Sequence, residues 1–102
     1  MSLCRLAACL LGLALPLASQ ASSSLASEMG CYNCHGQPMR ADAPSFERLA
    51  AKFAKRSGQA GAEQHAVDEL LQGEGFRHIP AHEHLSPETA RKLVHWLFDG
   101  GK

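Results

Sequence analysis

Two thiols three residues apart with an imidazole directly behind them, Cys31-Tyr32-Asn33-Cys34-His35, are the densest chemistry in this 102-residue chain. On a helical turn residues i and i+3 share a face. Both sulfurs then reach the two vinyl groups along one porphyrin edge, and the next residue's imidazole falls beneath the iron. That spacing is the c-type haem attachment pattern. Other chemistries draw on the same residues. A thioredoxin-like redox pair wants a strand leading into a helix, and no segment here alternates as a strand does. A Cys31–Cys34 disulfide is open to an exported chain but leaves His35 without a role. A zinc centre needs two further ligands, for which His78 with His82, or His82 with His84, are the available pairs. The pattern therefore predicts one covalent haem c, with Cys31 and Cys34 as attachment residues and His35 as the proximal axial iron ligand.

The other two of the four cysteines, Cys4 and Cys9, lie in a different kind of segment. Arg5 precedes an almost wholly apolar run, Leu6 to Leu17, and Ala18-Ser19-Gln20-Ala21 places small residues before a cleavage point after Ala21. A basic start, an apolar stretch of about a dozen residues and a small-residue exit describe a secretory signal peptide. A membrane-spanning helix wants roughly 20 apolar residues. Too few residues precede Leu6-Ala7-Ala8-Cys9 for it to act as a lipoprotein cleavage box. The expected organisation is a signal peptide over 1–21 and one domain over 22–102, exported to the periplasm, with no membrane span after cleavage. A domain of that size has a marginal hydrophobic core and commonly relies on a metal or cofactor as a staple.

The elements that must position these groups read as helices. Ser22 to Ser27 looks like a short polar lead, with a short helix possible from Leu25 into Cys31, and 36–43 looks like a loop. Phe46, Leu49, Ala50 and Phe53 fall at helical spacing after Ser45, and Ser57-Gly58 ends that helix. A further helix runs from about Ala62 with Ala66, Val67, Leu70 and Leu71 on one stripe, and Gly73 caps it. Gly73 to Leu85 reads as a loop. The last helix has Ser86 as N-cap, Pro87 at its first position and a stripe of Ala90, Leu93, Val94, Leu97 and Phe98, stopped by Asp99-Gly100-Gly101. The fold class is all-α.

Gly30 to Gly36 resembles the haem-binding segment of class I c-type cytochromes, the small bacterial monohaem kind. Ala43-Pro44-Ser45-Phe46 with Leu49 to Phe53 is similar to the helix after the haem loop in that family. Leu85 to Glu88 with Leu93-Val94-His95-Trp96-Leu97 resembles the C-terminal helix. The resemblance covers nearly all of 22–102, though only the haem segment is specific on its own. It implies a small cytochrome c fold, three to four helices around one covalent haem, used for single-electron transfer between periplasmic partners.

The departure is on the far side of the iron. The family usually places a Met followed by Pro before the last helix, as the second axial ligand. Here residues 75–86 contain no Met, and Ile79 precedes Pro80. Met29 and Met39 both lie close to the attachment motif. His78 or His82 is the candidate distal ligand, with His84 a weaker third; alternatively the position is open and Ile79 lines an apolar pocket. Either way the loss of Met lowers the expected mid-point potential, because Met/His ligation raises it. Phe46, Leu49, Phe53, Phe76 and Trp96 are candidate ring contacts and equally candidate core residues. His65 and His95 read as surface residues on helices.

Ten basic residues balance ten acidic ones, which argues against nucleic acid as a partner. Two functions remain. One is an electron carrier, not an enzyme, whose haem edge meets redox partner proteins transiently. The other is a haem protein with an open or labile distal site that binds or senses small ligands such as gas or peroxide. A peroxide-reactive centre wants a distal acid–base pair, for which Arg77 with His78 or His82 is the available set. Lys52, Lys55 and Arg56 form a local basic patch available to a partner.

Overall fold

A computed structural model describes Gly12, residues 18–73, Gly75 and residues 77–102, with side chains from Ser23 onward in the first helix. The predicted leader's apolar run lies outside the described residues but for Gly12, as does Phe76. The chain is all-α. Six helices follow in order: α1 (Ala18–Glu28), α2 (Tyr32–His35), α3 (Phe46–Ala54), α4 (Ala62–Gln72), α5 (Pro80–Glu83) and α6 (Pro87–Phe98).

α6 is the hub, and α1, α3 and α4 all pack against it. Its amphipathic stripe buries Ala90, Leu93, Val94 and Leu97, as the spacing predicts, and buries Trp96 as well. Ser86 opens the helix, its Oγ accepting from the Thr89 N–H at 3.1 Å, and Pro87 occupies the first position, where an N–H has no intrahelical partner. The Trp96 indole is buried with its polar atom satisfied: Nε1–H donates to the Lys102 carbonyl at 3.1 Å. α3 begins in the same way, with Ser45 Oγ accepting from the Arg48 N–H at 3.2 Å. It contributes Ala50 and Phe53 to the core, and Phe53 stacks on Phe98. α4 contributes Ala66 and Val67 and closes at Gly73, whose N–H donates to the Glu69 carbonyl.

Two elements differ from the sequence expectation. The supposed polar lead at Ser22–Ser27 is helical, because α1 packs on α6 and inserts Ala26, which is fully buried, into the shared core. Ala90 on α6 is also fully buried. Small side chains of this kind let two helix backbones approach closely, so tertiary packing overrides a weak local pattern. α1 spans the predicted cleavage point after Ala21 and stops short of Cys31. The second difference is α5, one helical turn inside the stretch expected to be loop. It packs against α4, and Pro80 stands at its start. The expected three to four helices thus become six, the two additions to the four read from the sequence being single turns. No helix among the described residues is long and apolar enough to cross a membrane.

Candidate functional site

The Cys31–His35 turn is set by how α1 ends. Gly30 takes φ +75°, its N–H donates to the Ser27 carbonyl, and the Cys31 N–H donates to the Ala26 carbonyl. This is a Schellman cap with glycine in the left-handed position, and it hands the chain to Cys31 at a defined angle. Cys31 packs half-buried against the core. The next turn is closed by His35 N–H to Cys31 C=O at 2.9 Å and Gly36 N–H to Tyr32 C=O at 3.0 Å. Cys31, Cys34 and His35 therefore stand at i, i+3 and i+4 of one helical turn, on a shared face. A Cβ at Gly36 would collide with the Tyr32 carbonyl oxygen, so only glycine lets the chain leave the turn here.

His35 is held from two sides. Its Nδ1–H donates to the Pro44 carbonyl at 2.6 Å. A carbonyl only accepts, so Nδ1 carries a proton and Nε2 is the nitrogen left for a metal, the way an oriented, metal-ligating imidazole is held. The loop that brings Pro44 back folds through Arg40 N–H to Cys34 C=O at 2.9 Å. Phe46, at the start of α3, stacks on His35 at 5.1 Å between centroids and meets Tyr32 and Trp96 edge-on at 5.0 and 5.2 Å. Of the rings proposed from the sequence, Phe46 adjoins the site, Trp96 stands behind it, and Phe53 lies in the core against Phe98.

Facing His35 is His82 on α5. The two imidazole planes are within 10° of parallel and their centroids are 6.1 Å apart. α5 presents His82 through bonds from the His82 and Glu83 N–H groups to the Ile79 carbonyl, at 2.9 and 3.1 Å. Burial, with a smaller contribution from the neighbouring His35, holds His82 below the ordinary imidazole pKa. His78 goes elsewhere. It is exposed and bonds Glu83 Oε1 through Nδ1 at 2.7 Å. His84 is exposed. His65 pairs with Glu69, and His95 pairs with Glu63 and Asp99, all at the surface, in line with the surface reading of both. Among the basic-patch residues Lys52 and Lys55 are exposed, whereas Arg56 is half-buried beside Glu69 at 3.8 Å.

The alternatives for the cysteines can be tested on this geometry. Both thiols are free, so no Cys31–Cys34 disulfide is formed. Burial pushes the Cys31 thiol up, which keeps it protonated and unlike the thiolate of a redox pair. Among the described residues no group of three or more His, Cys, Asp or Glu is gathered to hold a metal ion, as a four-ligand zinc centre requires. Met29, Tyr32, Met39 and Ile79 keep 41–45% of their surface exposed; Tyr32 lies within the Cys31–His35 turn, Met29 and Met39 flank it in sequence, and Ile79 leads into α5. The donor set and these side chains fit a porphyrin. A surface recess of about 460 Å³ between α4 and α6 is lined by Glu63, Gln64, Val67, Arg91, Lys92 and His95 and takes no part in this site.

Sequence reasoning missed Gly30 as a helix cap and Pro44 as the partner of His35. A glycine just after a helical stretch is a recognisable C′ signal. Nothing local marks the Pro44 carbonyl, which arrives through the fold of the loop. Compared with family models, with curated proteins and with solved structures, the chain matches none.

Proposed function

We propose that this chain is a periplasmic single-electron carrier built on one covalently attached haem c, in the manner of a small class I c-type cytochrome. The observation that carries the reading is the Cys31–His35 turn: two thiols on one helical face with an imidazole oriented through Nδ1–H to Pro44. Cys31 and Cys34 would hold the porphyrin edge by adding their S–H bonds across its vinyl groups, which needs no oxidant. His35 would hold the iron through Nε2. Once bound, the haem supplies a centre that cycles between ferric and ferrous states one electron at a time.

The chain's own part is to hold that centre still and dry on one side. The Schellman cap at Gly30 and the Phe46 ring fix the turn, and the Pro44 carbonyl raises the basicity of the imidazole it accepts from. Tyr32, Met39 and Ile79 offer apolar surface to the ring and its surroundings. A near-neutral chain has little long-range steering, so partners would meet the exposed edge through a small transient interface. A peroxide-reactive centre would want Arg77 with His78 or His82 arranged as a distal acid–base pair. His78 is bonded to Glu83 and His82 lies against His35, so the carrier is the better supported reading. The test is potentiometric titration of the protein exported from a strain able to attach c-type haem. A reversible one-electron wave, at a potential below that of a Met-ligated relative, is expected. A protein with no haem, or with haem that cannot be cycled, would overturn the proposal.

A further inference from the structure

Within the haem reading above, we infer that His82 is the second axial ligand of the iron, making a bis-imidazole centre that leaves His78 and His84 outside it. The chain has six histidines, and only His35 and His82 are withdrawn from solvent. Their rings are neighbours. The four others are exposed, and three of these are bonded to surface carboxylates.

Two imidazoles facing one metal ion from opposite sides, each bonded at about 2 Å, have ring centroids roughly 6 Å apart. His35 and His82 stand at 6.1 Å with planes 10° from parallel. The backbone explains how a residue other than Met reaches this position. Ile79 carries no donor atom in its side chain, but its carbonyl receives the His82 and Glu83 N–H groups. Pro80 starts the turn, and the imidazole is delivered three residues beyond Ile79. Glu83 adds selectivity by engaging the competing His78 on the outside of the same turn.

The experiment compares visible spectra of the haem-loaded protein with those of His82→Ala, His82→Met, His78→Ala and His84→Ala, oxidised, reduced, and reduced under carbon monoxide. The parent, His78→Ala and His84→Ala are expected to be low-spin and indifferent to carbon monoxide. His82→Ala should lose the low-spin bands, bind carbon monoxide, and recover low-spin bands when free imidazole is added. His82→Met should remain low-spin with a raised mid-point potential. Low-spin bands that survive in His82→Ala, or a parent that is high-spin and takes carbon monoxide, would overturn the assignment while leaving haem attachment intact. A chain that acquires no haem would instead overturn the parent reading and this one with it.

Discussion

The two sides of the candidate centre are built on different scales of structure. The His35 side is locked locally. A Schellman cap, a closed helical turn, a 2.6 Å bond to Pro44 and a stacked Phe46 all bear on residues 31–35. The His82 side is a four-residue helix whose position comes from packing on α4 and whose ring meets His35. One side holds its shape through contacts within a few residues and one aromatic wedge. The other depends on the rest of the fold arriving. In the proposed centre the proximal ligand would be fixed and the distal ligand easier to lose, so changes on the two sides should differ in kind and in size.

The largest contrast is chemical. Replacing both attachment residues, Cys31→Ser with Cys34→Ser, should abolish covalent retention of haem through acid–acetone extraction. His82→Ala should leave it complete. Equal haem loss in both would erase the distinction between the sides.

The next is energetic. Phe46→Ala removes the ring that joins Tyr32, His35 and Trp96, and should destabilise the fold by about 2–3 kcal/mol, the low end for a partly buried aromatic. His78→Ala removes an exposed hydrogen bond to Glu83 and should cost under about 0.5 kcal/mol. Denaturant unfolding of the haem-loaded protein measures both, and comparable losses would contradict the asymmetry.

Gly30→Ala sharpens the local half of the comparison. An alanine forced to φ +75° is strained, and should cost about 1–2 kcal/mol in thermal or chemical unfolding. A neutral outcome would mean that the cap does not set the turn.

The smallest effect lies far from the centre. The Glu63 carboxylate bonded to His95, with Asp99 nearby, raises the His95 pKa. A raised folded value means that this contribution is fully present below the ordinary histidine pKa and is lost as pH rises through the folded one. The group is largely exposed, so solvent screening should keep the effect under about 0.5 kcal/mol. The difference in unfolding free energy between the parent and His95→Gln should shrink over that window, and a difference that widens with pH would refute the pairing.

The same asymmetry explains what could be read from the sequence. α3 and α6 announce themselves, because Ser45 and Ser86 cap runs with strong helical periodicity. Cys31, Cys34 and His35 stand out in the sequence because the proposed attachment chemistry would demand adjacent residues at one spacing. α1 is not legible: Ser22-Ser23-Ser24 looks like a polar lead, and the helix is stabilised by Ala26 packing on α6, a contact across the chain. α5 is a single turn, too short for any periodicity, and Pro80 is its one local mark. His78, His82 and His84 could not be separated by spacing alone. What distinguishes them is the Glu83 partner of His78, the exposure of His84 and the burial of His82 against His35, all products of the tertiary fold.

The account stands on the Cys31–His35 turn as the point of attachment, and peptide mass mapping of the exported protein tests it most directly. One peptide spanning Cys31 to His35 and carrying a single haem on both cysteines is the predicted result. The same peptide recovered without haem, its cysteines free or joined to each other as a disulfide, would contradict it.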